Sequence, residues 1–172
     1  VVIVLPNEYM LFPVLHALPK ALNEINITMG FPLKDTPIYA LLESILMLQN
    51  MRRLGANDDI FYHKPVIAIL EHPLIYGLDV IRFKEFNAQI KKYNLIFVRG
   101  SQIPLNTTLL KLIFSKPENP LDYLLEILKT LEDQSEIEKD DLDRAFIHKY
   151  YQHILQLREV LGVQVDLLSY EF

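Results

Sequence analysis

The sequence predicts an α/β chain that is predominantly helical, with a βαβ unit at its front. Three observations carry this expectation. The opening run "VVIVL" is apolar at every position, as in a parallel strand covered on both faces rather than one with a wet side. "INITM" (25–29), rich in β-branched residues, follows after one helix-length of chain, and strand, helix, strand at this spacing is a βαβ unit with a right-handed crossover. From residue 36 onward, apolar residues recur at helical spacing through most of the chain.

The elements follow in order. Asn7 can cap a helix over "EYMLFPVLHALPKAL", with Pro13 near its first turn, where a missing N–H is tolerated. Met29-Gly30 ends the second strand. Thr36 is a good N-cap and Pro37 suits the first position of a long helix, whose stripe is Ile38, Leu41, Leu42, Ile45 and Leu48. Gly55 reads as its stop, with Arg52 and Arg53 in the last turn facing the negative end of the dipole. "GANDDIFYHK" (55–64) reads as a turn-rich connection, and "PVIAILEHPLI" as a short helix stopped before Pro73. "VIRFKEFNAQIKKYN" is an amphipathic helix, "LIFVR" a short strand or extended segment, and "TTLLKLIF" a short helix. Asn119-Pro120 caps "LDYLLEILKTL", with its leucines at Leu121, Leu124, Leu125, Leu128 and Leu131. Ser135 and Glu138 have capping-box spacing for a last helix running to about Leu161, with Leu142, Phe146, Ile154, Leu157 and Leu161 on one face and Gly162 at C′.

This order divides the chain into a βαβ-type segment over 1–56, part of a larger domain, and a mostly helical subdomain over 57–172. Two strands make a very small sheet for a fully buried parallel pair. The sequence also starts without Met inside what reads as a folded element. Both features lead to the expectation of an internal piece of a longer chain.

Composition narrows the function classes. At 172 residues and 51% hydrophobic, the chain can bury a real core. A formal charge of −5 argues against a general nucleic-acid coat, though not against local contact with DNA inside a larger assembly. The absence of cysteine removes disulfides, thiolate metal sites and cysteine nucleophiles, and suits a reducing cytoplasm. No run approaches eighteen apolar residues, so no membrane span or membrane partner is expected. The start has neither the basic region nor the cleavage site of a signal peptide.

Catalytic and cofactor motifs are missing. With five glycines the chain has no phosphate-cradling P-loop, no dinucleotide fingerprint and no nucleophile elbow, each of which needs backbone geometry that glycine supplies most easily. No catalytic residue, cofactor-binding residue or metal ligand is therefore assigned. His148 and His153 are five apart and do not share a helical face, and His72 before Pro73 reads as a helix-end cation. "EIEKDDLDR" reads as an acidic helix start. Glu138-Lys139 and the pair Lys84-Glu85 lie in helical patterns, so they do not make the acid-and-lysine strand of a PD-(D/E)XK metal site. The basic cluster Arg52, Arg53, His63 and Lys64 flanks the 55–64 loop and could touch a phosphate backbone; the competing reading is helix capping plus ordinary surface charge, which also describes Lys91-Lys92. Phe61, Tyr62, Phe83, Phe86, Tyr150 and Tyr151 read as core aromatics rather than a base-stacking platform.

Three phrases in order, "VVIVLPNEYMLFPVLHALP", "INITMGFPLKDTPIYALLESILML" and "FYHKPVIAILEHPLI", resemble the second motor-like half of the AddB/RecB-type helicase–nuclease chains. The nearest likeness is to the AddB-like proteins of bacteria in the PD-(D/E)XK nuclease family, related to the UvrD-like superfamily. The likeness spans roughly the first 75 residues. It implies a P-loop-helicase-like second motor domain followed by a helical insertion. The chain departs from the wider superfamily at Leu5-Pro6-Asn7-Glu8, where the usual "Y-R-x-N" arginine is missing, as in AddB-type chains that have lost helicase motifs. The resemblance implies a bacterial, cytoplasmic subunit that processes DNA double-strand breaks, with DNA and a helicase subunit as partners. It puts the nuclease domain beyond Phe172 and no catalytic residue in this stretch.

Three functional readings result. The first is a non-catalytic, helicase-like piece of such a helicase–exonuclease subunit, acting as a scaffold for DNA or the partner motor. The second is a free-standing helical protein-interaction adaptor. The third is a small enzyme using Asp58-Asp59 or Asp140-Asp141; it ranks last because adjacent carboxylates point apart.

Overall fold

The apolar stripes of the sequence become buried helix faces in the computed structural model, which describes residues 2–19, 25–27, 32–55, 58–133 and 141–161. The chain divides into two units, Val1–Thr36 and Pro37–Phe172. Helix accounts for 68% of the described residues, so the predominantly helical expectation holds.

In the first unit, a 3-10 turn at Glu8–Met10 leads into α1, Leu11–Ala17. The expected helix over 8–22 ends early, because Leu18 precedes Pro19 and is held extended, as residues before proline generally are. A second 3-10 turn, Leu33–Asp35, is closed by Thr36, whose N–H and Oγ1 both donate to the Leu33 carbonyl, at 3.1 and 2.6 Å.

The expected βαβ start is corrected by the described residues. Val2–Leu5 has no strand pairing, and Val2 and Val4 are 88% and 85% exposed. Residues 25–27 are also unpaired, and Ile25 and Ile27 are exposed; Met29-Gly30 lies outside the described residues. A strand apolar on both faces needs neighbours for its backbone and layers for its side chains. Among the described residues neither stretch has such neighbours, and the sheet they form is elsewhere and antiparallel.

In the second unit, α2 (Pro37–Asn50) buries Ile38, Leu41, Leu42, Ile45 and Leu48, the stripe read from the sequence. It stops at Asn50, short of Gly55. The chain then turns extended, and Arg53 and Ile60 exchange N–H to carbonyl bonds of 2.9 Å. Gly55 lies in the connecting turn, where a Cβ would overlap the Asp58 carbonyl oxygen. The 55–64 stretch is thus more than a connection. It contains β1 (Ile60–Tyr62), which pairs antiparallel with β2 (Phe97–Arg99) in the register Ile60 to Arg99, Phe61 to Val98 and Tyr62 to Phe97.

Three helices separate the strands: α3 (His63–Leu70), α4 (Pro73–Tyr76) and α5 (Val80–Tyr93). The stop before Pro73 is where the sequence puts it, but Pro73 also opens α4. His72 is its N-cap and not a helix-end cation: Nδ1 accepts from the Leu74 N–H at 3.3 Å, and Nε2–H donates to the Pro37 carbonyl at 3.0 Å. Burial lowers the His72 pKa and keeps the ring neutral. Asp79 caps α5, and Asn94 closes it at φ 48°, a left-handed conformation that asparagine tolerates.

Helices α6 (Thr108–Ile113), α7 (Pro120–Asp133) and α8 (Asp141–Leu161) complete the unit. Asn119 Oδ1 accepts from the N–H groups of Leu121 and Asp122 at 2.9 and 3.2 Å, an N-cap as expected. The proposed capping box at Ser135 and Glu138 and the stop at Gly162 lie outside the described residues. Helices α7 and α8 pack antiparallel, with Arg158 of α8 2.7 Å from Asp122 in the first turn of α7. The stripe of α8 therefore holds in part. Ile147 is buried and Phe146 and Ile154 pack on the core, but Leu157 and Leu161 are exposed.

Candidate functional site

The ribbon β1–β2 alternates as a pleated strand must. Phe61 and Val98 point inward and are 1% exposed. Tyr62 and Phe97, paired across the strands, lie on the other face with their rings 5.8 Å apart. The chain leaving α2 runs beside β1, and the Arg53–Ile60 bridge fixes its register. This brings the Arg53 guanidinium over the Phe97 ring, 4.1 Å from its centroid, a close cation–π contact. Lys64, at the start of α3, puts Nζ 5.9 Å from the Tyr62 ring. Asn50, Met51, Arg52, Arg53, Tyr62 and Phe97 line a groove of about 380 Å3.

The four basic candidates from the sequence thus gather at one ribbon, in different roles. Neither arginine serves the last turn of α2, which has already ended. Arg52 forms an ion pair with Asp59, donates to Gln49 Oε1 at 3.2 Å and lies over Phe61, with its side chain only 9% exposed. Its charge is neutralised and its place is structural. Arg53 and Lys64 are exposed, and among the described residues no carboxylate is within ion-pair distance of either. His63 accompanies them: its N–H and Nδ1–H both donate to the Ile96 carbonyl, at 3.1 and 2.9 Å, which leaves Nε2 as the unprotonated nitrogen of the neutral ring.

Behind Arg52 is a polar knot. Gln49 Nε2 lies 3.0 Å from the Ile113 carbonyl, 3.1 Å from that of Ser115 and 2.9 Å from the Tyr123 hydroxyl. Tyr123 itself donates to the Ile113 carbonyl at 2.5 Å. Burial raises the Tyr123 pKa well above the usual range, so the phenol stays a donor. The knot ties the end of α2 to the end of α6 and to α7, and through Arg52 and Asp59 to the base of β1.

The adjacent carboxylates Asp58 and Asp59 diverge. Asp58 Oδ2 accepts from the Ser101 hydroxyl at 2.6 Å and its N–H at 3.1 Å, contacts that hold the Asp58 pKa below its ordinary value, while Asp59 turns to Arg52. A shared proton between them is not geometrically available. Asp140 lies outside the described residues. His148 and His153 are exposed on α8, where His148 meets Gln152. No group of three or more potential metal-ligating side chains is assembled among the described residues.

Tyr62, read as a core aromatic, and Phe97, in the segment read as a short strand, are the site residues that sequence reasoning did not single out. Of the aromatics read as core, Phe61, Phe83 and Phe86 are buried, but Tyr62 is half-buried in a strand beside the groove. Neither "IFYH" nor "IFVR" alternates apolar and polar residues, so only the pairing of the strands shows that Tyr62 and Phe97 face away from the inward Phe61 and Val98.

Comparisons with protein-family models, with curated proteins and with solved structures give no match.

Proposed function

We propose that this chain is a non-catalytic binding module of a bacterial, cytoplasmic DNA-break-processing helicase–exonuclease subunit, contacting the phosphate backbone through the ribbon and serving as a scaffold for a helicase partner. The observation that carries the nucleic-acid part is the exposed pair Arg53, which lines the groove over the Phe97 ring, and Lys64, whose Nζ lies 5.9 Å from the ring of Tyr62, another lining residue. Cations without carboxylate partners suit phosphate oxygens, and a guanidinium seated on a ring is oriented before the ligand arrives. The overall charge of −5 makes any such contact local. The helicase-like part rests on the order of the three sequence phrases alone, since Val2–Leu5 and residues 25–27 do not form the implied strands.

The test is fluorescence anisotropy with blunt and single-strand-tailed duplexes across a salt series. Binding that weakens as salt rises is the expected result. Absence of binding at low salt overturns the DNA contact.

A second reading, a helical protein-interaction adaptor, is favoured by the end of α8, where Leu157, Val160 and Leu161 are 44%, 82% and 44% exposed. A pull-down with the candidate motor subunit separates it from the first.

A further inference from the structure

Resting on the reading of the ribbon as a nucleic-acid surface, we infer that the groove takes one unstacked nucleotide, its base against the Arg53 guanidinium and its phosphate held by Arg53 and Lys64. The nucleotide is either part of a single strand or free in solution.

Size, surface chemistry and preorganisation point the same way. A volume of about 380 Å3 lies at the lower end of small-ligand sites, roughly 300–1,000 Å3. That suits one planar ring with its sugar, and it is too small to seat a duplex. Phe97 supports the guanidinium 4.1 Å from the ring centroid. Guanidinium planes and aromatic rings are the surfaces on which splayed bases stack. Tyr62 and Met51 add apolar residues to the lining, and Asn50 adds a polar one, whose amide carries both a donor and an acceptor. Lys64 Nζ lies 5.9 Å from the ring of Tyr62, which lines the groove.

Arg52 is a positioning residue in this arrangement. Pinned by Asp59 and Gln49, it fixes the chain just before Arg53, whose own backbone is clamped to Ile60 by two 2.9 Å hydrogen bonds. The guanidinium of Arg53 is thus carried on a backbone held at two successive residues.

The test uses the whole chain, a labelled oligo-dT strand, and adenosine monophosphate, adenosine, inorganic phosphate and a blunt duplex as competitors. Adenosine monophosphate should displace the strand at a concentration at least about tenfold below adenosine or phosphate alone, since it alone joins stacking to charge. Arg53→Lys, which keeps the charge and loses the planar surface, should bind the strand roughly tenfold more weakly with an unchanged salt slope and unchanged denaturant midpoint. If the strand binds but adenosine monophosphate competes no better than phosphate, or Arg53→Lys binds like the wild type, the nucleotide site is overturned and the backbone-contact reading survives. Tighter binding of the duplex than of the strand overturns the site in the same way. Nucleotide binding without strand binding keeps the site for a free nucleotide and overturns the DNA reading. Failure of every probe at low salt overturns both.

Discussion

Replacing Gln49 with methionine isolates the polar knot, because the two side chains are close in volume and only the amide is lost. Gln49 Nε2 has two hydrogens and three acceptors in reach: the carbonyls of Ile113 and Ser115 and the Tyr123 hydroxyl. The Ile113 carbonyl keeps the Tyr123 hydroxyl as donor in the variant, so its loss is partial. The Ser115 carbonyl loses its Gln49 donor, and Arg52 loses the Oε1 acceptor. A net hydrogen bond contributes about 0.5–1.5 kcal/mol, and a stranded buried polar group costs about 1–3 kcal/mol. Gln49→Met should therefore cost about 2–4 kcal/mol, a large share of the roughly 5–15 kcal/mol typical of a domain. Tyr123→Phe should cost less, about 1 kcal/mol, because both Gln49 hydrogens still find carbonyls. Urea denaturation monitored by circular dichroism reads both changes. A Gln49→Met cost below about 0.5 kcal/mol, or a Tyr123→Phe cost that exceeds it, would refute the reasoning.

Two further outcomes are expected. The His72 pKa is lowered from its ordinary 6.5 by burial, so the unfolded chain binds the proton more readily than the folded one. Stability is then fully present above about pH 6.5, falls by up to about 1.4 kcal/mol per pH unit as pH drops toward the lowered folded value, and levels off below it. His72→Asn keeps an N-cap acceptor without titrating and should lose this segment of the pH profile; an unchanged profile refutes the assignment. Leu128→Ala, at a site 1% exposed between packed helices, should cost about 2–5 kcal/mol, whereas Ile81→Ala, 71% exposed on α5, should stay within about 0.5 kcal/mol. Equal denaturant midpoints for these two variants would contradict the placement of the core.

The sequence was most legible where spacing alone decides structure. The five buried positions of α2 follow from a 3.6-residue period, and the Asn119 cap of α7 from local backbone chemistry. It was least legible where structure depends on distant chain. "VVIVL" says that a strand would be apolar on both faces but not that any neighbour is present to pair with it, and Val2 and Val4 are exposed. β1 and β2 are three residues each and meet across three intervening helices, so no local window contains the pair. That same pairing misplaced Arg52 and Arg53. Gly55 resembled a helix stop, but the bond from Arg53 to Ile60 demands extended backbone, and α2 ends at Asn50. His72 was misread for a similar reason: Pro73 ends one helical run and begins another, which converts a helix-end cation into a buried neutral cap. The basic candidates did cluster, but their division into one buried structural arginine and two exposed cations depends on Asp59 and Gln49, which no spacing rule connects to them.

The central claim is that Arg53 and Lys64 contact phosphate. The direct measurement is the salt dependence of single-strand binding for the wild type, for Arg53→Gln/Lys64→Gln, and for Lys91→Gln/Lys92→Gln as a charge-matched control on α5. Arg53 and Lys64 hold one phosphate between them, and each phosphate contact contributes about 0.7 to the slope of log affinity against log salt, so the ribbon variant should bind more weakly and lose about 0.7 from the slope, while the control keeps the wild-type slope. Equal slopes in all three proteins, or the same loss in both variants, would contradict the account.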